Sequence, residues 1–386
     1  MRVITTKQAL VDCLGIVTKA VSSRSSIQVL SGVLVEAADE GTVFSATDME
    51  ISIRAPLAGR VDRPGSFVVP ARLLADIARN LPVGDVEIEQ PAGEGYVEIR
   101  AAGAVFDLHS LAAADFPQLP LCVGERFDIN KNAFVETVER VAPSASRDET
   151  RPVLTGVLIH FTKNAVRMVA TDSYRLSVKE TPIESSLSTP LEVITPARTL
   201  LELSRIAAPT SDETISIVPT ENQILFEVAG IALVSRLIDG QFPNYRQLIP
   251  ETFDHEVAID QDELLEAVRR VGLLAQKNTP LRLRFSENTL SVSAESQDIG
   301  KAQDTMPVPY SGEELEIGFN PEFLEAGVAA VKESPIYLRF ISPLRPGLLK
   351  GAADDFQYLV MPIRLNEYYV ESCRYPVGGG TVCTGR

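Results

Sequence analysis

Two stretches of this chain, 124 residues apart, carry one pattern, and that repetition limits what the chain can fold into more than any other feature. Gln28-Val29-Leu30-Ser31-Gly32-Val33-Leu34-Val35 lies in register with Pro152-Val153-Leu154-Thr155-Gly156-Val157-Leu158-Ile159, so that Gly32 falls on Gly156. At the same offset Thr47-Asp48 falls on Thr171-Asp172, and Asn164 maps onward to Asn288. The match between the first two copies runs ungapped over roughly thirty residues, which makes it a structural repeat. A chain of 386 residues exceeds one ordinary core of about 100–200 residues, and the period sets how it divides.

Each copy opens with an apolar stripe at helical spacing. Leu10, Leu14, Val17 and Val21 form it in the first copy, and Leu264, Val268, Val271 and Ala275 in the third. Capping residues precede these helices: Thr5 with Gln8, Asn130, and Asp260 with Glu263. Hairpins follow, turning at Asp39-Glu40-Gly41, Lys163-Asn164 and Glu287-Asn288. A second helix starts at Pro70-Ala71-Arg72, Pro196-Ala197-Arg198 and Asn320-Pro321-Glu322, where a leading proline suits the first turn because its missing N–H costs nothing there. The first two copies close on Phe116-Pro117 and Phe242-Pro243. The third lacks both that pair and Thr-Asp, having Glu295-Ser296 at the latter position.

Two helices among alternating strands in each ~125-residue unit define an α+β fold, with helices on one face of mainly antiparallel sheet. The expected domains are 1–125, 126–253 and 254–365. Their joints lie at Gln118–Phe127 and Gln247–Asp254, and a flexible tail, 366–386, ends in a glycine-rich run.

The apolar fraction of 45% and charged fraction of 23% are those of a globular protein, and no run of about 18 apolar residues marks a membrane span. The N-terminus lacks the apolar core of a signal peptide, and Cys13, Cys122, Cys373 and Cys383 have neither metal-ligand nor redox spacing; reduced thiols in a cytoplasmic protein are expected. A net charge of −16 argues against nucleic acid when taken alone. A total says nothing about distribution, however, and an acidic exterior is compatible with a basic inner surface.

Taken together, the repeats, the Pro-Ala-Arg helix starts, Ala170-Thr171-Asp172-Ser173-Tyr174-Arg175-Leu176, Phe242-Pro243-Asn244-Tyr245-Arg246 and Val360-Met361-Pro362-Ile363-Arg364-Leu365 resemble the bacterial DNA polymerase III beta subunit family. The resemblance covers residues 1–365. It implies three repeated clamp-like domains in a crescent, and two crescents joined head to tail in a ring lined by twelve helices. It further implies a non-catalytic DNA sliding clamp that encircles double-stranded DNA without sequence preference. No cofactor is implied. The partners implied are a second copy of the chain, the polymerase III alpha subunit, an ATP-driven clamp loader and other proteins bearing a short clamp-binding segment. The chain has no phosphate loop of its own, since Gly347-Leu348-Leu349-Lys350-Gly351 lacks the required spacing.

An inner surface that slides on DNA needs Arg and Lys, because phosphate contacts carry no sequence information. Arg24, Arg72, Arg79, Arg147, Arg198, Arg205 and Lys277 are the candidates. Arg72/Arg79 and Arg198/Arg205 are each seven apart, on one helical face, and repeat-equivalent. Arg24 matches a DNA-contact position of the family, whereas Asp148 departs from the neutral residue expected there. Carried across position by position, a partner-peptide pocket comprises Leu154, Thr171, Tyr174, Arg175, Leu176, Pro243, Leu248, Val360, Met361, Pro362, Ile363 and Arg364. The joint between two copies is expected at Phe106 and Leu108 of one strand and at Leu273 and Leu274.

An enzyme is the rival class. The three histidines, His109, His160 and His255, have no metal or nucleophile-elbow context. Asp107, His109 and Ser110 form only a local cluster. Asp48 and Asp172, one per repeat, read as turn-capping residues rather than a metal pair. A clamp copy specialised for repair, or for resistance to a clamp-directed antibiotic, would share the fold and differ in its setting.

Overall fold

The computed structural model describes residues 1–22, 27–91, 95–120, 122–185, 187–275, 279–296, 299–353 and 355–365. The first repeat begins β1 (Arg2–Thr6), α1 (Lys7–Val17), β2 (Gly32–Ala38), β3 (Gly41–Thr47), β4 (Ile51–Leu57) and β5 (Gly59–Arg63). It continues β6 (Gly65–Pro70), α2 (Ala71–Asn80), β7 (Asp85–Glu89), β8 (Tyr96–Ala101) and β9 (Ala104–His109). The second has β10 (Phe127–Asn130), α3 (Lys131–Val141), β11 (Gly156–Phe161), β12 (Ala165–Thr171) and β13 (Arg175–Pro182). It closes with β14 (Leu191–Pro196), α4 (Ala197–Ala207), β15 (Thr214–Pro219), β16 (Gln223–Val228) and β17 (Ile231–Arg236). The third comprises β18 (His255–Ile259), α5 (Gln261–Gly272), β19 (Leu281–Ser286), β20 (Thr289–Ser296) and β21 (Gly300–Pro307). It ends with β22 (Leu315–Phe319), α6 (Pro321–Ala330), β23 (Ile336–Phe340), β24 (Gly347–Lys350) and β25 (Phe356–Val360). Apart from the short β5, the element order is the same three times.

The chain divides into two compact units, Met1–Ile249 with Ala353–Tyr358, and Pro250–Ala352 with residues 359–365; the expected tail, 366–386, lies outside the described residues. In the first unit one sheet has the order β5-β1-β7-β8-β9. A second, β10-β15-β16-β17-β4-β3-β2-β6, runs through both repeats. Its splice is the antiparallel ladder of β17 on β4, with Leu233 opposite Ile53 and Val234 opposite Ser52. A further set, β14-β11-β12-β13, is neighboured by β25. The second unit contains the sheet β21-β20-β19-β22 and the run β18-β23-β24.

Within each repeat the two helices pack against each other and against sheet. Leu10, Cys13, Leu14 and Val17 of α1 are buried, as are Leu200, Leu203 and Ile206 of α4 and Leu264, Val268 and Val271 of α5. Each such Leu, Ile or Val side chain contributes roughly 1.5–3 kcal/mol of gross burial free energy. α1 is shorter than its stripe: Val21 lies in extended backbone after a 3-10 turn over Thr18–Ala20, and Ala275 lies beyond the end of α5. Burial also pushes the Cys13 thiol up to about 12, so it stays protonated at neutral pH.

The caps follow the expected chemistry with one correction. Asn130 Oδ1 accepts from Ala133 N at 3.0 Å, and Asp260 Oδ1 from Glu263 N at 3.0 Å. For α1 the cap is Thr6, whose hydroxyl accepts from Ala9 N at 3.2 Å. Thr5, the expected cap, is still in the ladder opposite Gly59, and its buried hydroxyl donates to Ala58 O at 2.6 Å. Pro70 and Pro196 occupy the cap position itself, as last residues of β6 and β14, while Pro321 sits inside the first turn of α6. The carboxyl of Asp260 is held below its ordinary range, first by the Glu263 N–H and then by the Ser334 hydroxyl. Its contribution to the α5 cap is therefore present at neutral pH and lost as pH falls through that depressed value.

Replacing Asn130 with Ala is expected to lower the unfolding free energy by about 1 kcal/mol, the usual worth of an N-cap side chain. Urea titration of the two proteins measures it, and an unchanged midpoint would contradict the cap.

Candidate functional site

Two sequence expectations meet on helices α2 and α4. Both begin at a Pro-Ala-Arg strand end, bury an apolar face and leave arginines seven apart on the solvent side. Arg72, Arg79, Arg198 and Arg205 are all exposed, as is Arg147 after α3. Most are already matched by acids. Arg79 Nη1 lies 2.6 Å from Asp76, and Arg205 Nη1 lies 2.6 Å from Glu202. Arg198 reaches Asp48 at 2.9 Å and donates to Lys19 O at 3.2 Å, while Lys19 Nζ lies 2.9 Å from Glu202. Among the described residues no carboxylate lies within ion-pair distance of Arg72 or Arg147. Asp148, next to Arg147 in sequence, is instead held by the Thr150 hydroxyl and by Arg151 Nε at 3.0 Å, and its carboxyl lies below the ordinary range. Arg24 and Lys277 lie outside the described residues.

The third repeat does not continue this pattern. Arg269 of α5 pairs with Glu325 of α6 at 2.9 Å, and Arg270 with both Glu266 and Asp304. Where α2 and α4 carry Arg72 and Arg198, α6 carries Glu322.

The Thr-Asp pairs build matching turns. Thr47 Oγ1 accepts from Met49 N and donates to Ile51 O; Thr171 Oγ1 accepts from Ser173 N and donates to Arg175 O. Asp48 Oδ1 accepts from the amides of Glu50 and Ile51, as Asp172 Oδ1 does from those of Tyr174 and Arg175. Met49 at φ 77° and Ser173 at φ 81° take the same left-handed backbone, which the side-chain bonds hold in place. The two turns differ in the carboxylate's other oxygen. Asp48 Oδ2 takes Arg198 from the second repeat, whereas Asp172 Oδ2 takes Arg175 from its own turn at 3.1 Å. Both aspartates accept from the amides of their own turns, in agreement with the capping expectation.

This second turn holds several residues expected at a partner-peptide pocket. Tyr174 is 61% exposed, an unusual setting for an aromatic ring. Thr171 and Leu176 are buried, Leu154 is half-buried, and Arg175 is mostly covered because its guanidinium faces inward. Pro243 and Leu248 are exposed on the segment after β17. Val360 is buried in β25, and Met361, Ile363 and Arg364 are exposed, with Pro362 half-buried. Ile363 N donates to Gly318 O at 2.8 Å, which ties this last described stretch to β22. A cleft of about 880 Å³ in the first unit contains Pro243 with Phe242, Tyr245, His160 and Arg167, but not Tyr174 or Leu176.

At the expected joint residues, β9 is an edge strand and carries an exposed Phe106. Leu108, on the same face, is only 7% exposed and packs as core. Leu273 is 85% exposed and Leu274 half-buried at the end of α5, beside the edge strand β21.

The comparisons with known proteins agree with this architecture. Models of the N-terminal, central and C-terminal domains of the DNA polymerase III beta subunit match residues 1–120, 128–244 and 246–364. The beta sliding clamp of Synechococcus elongatus is 34% identical over 377 residues, covering 95% of this chain and 100% of the relative. The solved sliding clamp of Bacillus subtilis aligns with a TM-score of 0.89 at 30% identity, over 95% of this chain and 100% of that one. A Pseudomonas aeruginosa clamp bound to griselimycin aligns with a TM-score of 0.88 at 28% identity, over 95% and 100% of the two chains. Three tandem α+β repeats, the first two with repeat-equivalent exposed arginines on a helix face, thus define a clamp-type protein. The chain belongs to the DNA polymerase III beta subunit family, the bacterial sliding clamps, which are processivity factors and not enzymes.

Asp172→Ala removes the acceptor for two amides and leaves the covered Arg175 guanidinium without its carboxylate. A loss of roughly 3 kcal/mol in unfolding free energy is expected, because stranding a buried charge is costly. Chemical denaturation checks it, and a loss within experimental error would contradict the turn geometry.

Proposed function

We propose that two copies of this chain close head to tail around duplex DNA in the cytoplasm and hold the replicative polymerase there, each copy contributing three domains, 1–125, 126–253 and 254–365. The observation that carries this reading is membership of the sliding-clamp family over 95% of the chain, together with the edge strands β9 and β21 beside exposed apolar side chains. An unpaired edge strand is a template for another chain. β9 carries exposed Phe106, and β21 neighbours exposed Leu273. Edge-to-edge pairing between copies would cover both strands and bury both side chains, and a head-to-tail pair that closes leaves neither exposed.

Inside such a ring, binding is topological and individual phosphate contacts can stay weak. Arg72 and Arg147 are ready cations. Arg79, Arg198 and Arg205 must exchange a carboxylate for a phosphate, a small change, since exposed ion pairs are worth about 0–1 kcal/mol. Weak, interchangeable contacts suit sliding, because counterion release is the same at every register. Spontaneous threading onto a closed circle is blocked, so a loader is required. The polymerase alpha subunit, the loader and other partners dock by short peptide segments on exposed residues that the family resemblance assigns to that role, Tyr174, Pro243 and Leu248 of the first unit and Met361 and Ile363 of the second. Apolar anchors in such a groove give modest, exchangeable affinity.

Native mass spectrometry is expected to show a species of twice 42.0 kDa, and a monomer at micromolar concentration would contradict ring closure. Arg72→Ala or Arg147→Ala should each lower the slope of log affinity against log salt by about 0.9, the counterion share of one phosphate. Asp76→Ala, which frees Arg79, should raise DNA affinity; a fall would remove α2 from the lining. Met361→Glu should weaken binding of a polymerase-derived peptide by at least about tenfold while the dimer persists, as expected for loss of an interface anchor.

A further inference from the structure

Tyr358 is among the largest fully buried side chains of the protein, yet it carries a hydroxyl into the core. A buried phenol needs a partner, and this one has two: it shares hydrogen bonds with the Arg175 guanidinium and with the Ser144 hydroxyl. Burial raises its pKa to about 12, so it stays a neutral donor throughout the working range. From this point a continuous polar network spreads. Ser144 Oγ is 2.7 Å from Ser177 Oγ in β13. Arg175 Nη2 donates to Pro143 O at 2.7 Å, at the end of α3, and Arg175 Nε to Asp172 Oδ2 at 3.1 Å. Asp172 in turn holds the amides of Tyr174 and Arg175. From the other side, Arg151 Nη1 donates to Ser173 Oγ at 3.0 Å.

The first repeat supplies an internal control. Its equivalent turn has Ile51 where the second has Arg175, and its aspartate reaches Arg198 instead. The inward guanidinium and its phenol are therefore special to the turn that bears the exposed Tyr174.

We propose that Tyr358 and Arg175 are positioning residues, which fix the Thr171–Leu176 turn so that Tyr174 is held ready for a partner peptide. This rests on the reading that the turn belongs to the peptide-binding surface. Arg175, by its sequence position a wall of that surface, acts from behind it: its side chain is 13% exposed and already committed to Asp172, Pro143 and Tyr358. A turn held in a left-handed conformation at Ser173 has neighbouring conformations to relax into once a tie is cut. Ordering it again on binding costs affinity.

The test is a double-mutant cycle on the full-length protein, read by binding of a fluorescein-labelled peptide from the clamp-binding segment of the polymerase alpha subunit. Tyr174→Ala alone should weaken binding by about tenfold, as for an aromatic anchor. Tyr358→Phe, which deletes one oxygen atom, should weaken it by about fivefold, the worth of one buried hydrogen bond. In the Tyr358→Phe background the Tyr174→Ala effect should shrink to about twofold, because neighbours acting through one network are not additive. Ser144→Ala provides a second route to the same coupling, and amide exchange at Tyr174 and Arg175 should speed up in both variants. If Tyr174→Ala weakens binding equally with and without the phenol, Tyr358 is merely part of the core and the proposal is overturned. If Tyr174→Ala has no effect at all, the turn is not at the peptide surface, and the proposal falls with the reading on which it rests.

Discussion

Each strand added to a sheet covers one row of backbone amides and carbonyls and exposes another. A chain built from repeated sheet units must therefore dispose of its edges. Here the first two repeats meet by continuing one sheet, β17 onto β4, with Leu233 set opposite Ile53. That ladder fixes the two repeats side by side, and the helix-layer contacts across the same boundary follow from it. Arg198 at the start of α4 can reach Asp48 and the carbonyl of Lys19 because the splice puts those turns within a side chain's length. On the proposed reading, edge strands β9 in one unit and β21 in the other are where a second copy of the chain would pair.

The same geometry reconciles an acidic protein with a polyanion. A net charge of −16 is a property of the whole surface, whereas a phosphate samples charges within a Debye length of about 10 Å. Placing the arginines of α2 and α4 next to Asp76, Glu202 and Asp48 keeps their side chains ordered without making the face strongly attractive. If this face lines the proposed ring, sliding gains from that moderation. Long-range repulsion from the remaining acids discourages DNA from adhering elsewhere.

Much of this was legible in the residues. The 124-residue register places Thr47-Asp48 on Thr171-Asp172, and the two turns share their hydrogen bonds and their left-handed residue, because a Thr-Asp pair satisfies the backbone locally wherever it stands. Applied to Asn130, that register points to Thr6 and not Thr5 as the first cap, a signal the local capping pattern obscured with two threonines in a row. The i−3 acids Asp76 and Glu202 were also visible beside Arg79 and Arg205. The Arg198–Asp48 pair, 150 residues apart, was not. Burial was the least legible property. Alternation puts Phe106 and Leu108 on one face, but only the assembled sheet decides that Leu108 is core while Phe106 is exposed at the edge. The role of Tyr358 left no motif at all, since its meaning depends on Ser144 and Arg175, both more than 180 residues away in sequence.

The central claim is that DNA is held by enclosure, not by adhesion. The most direct measurement loads the protein onto a nicked circular plasmid with its clamp loader, washes at a salt concentration that strips ordinary DNA-binding proteins, and then linearises the circle. Retention on the circle followed by rapid loss from the free ends is the expected result. Equal retention on circle and line, or equal loss from both, would contradict it.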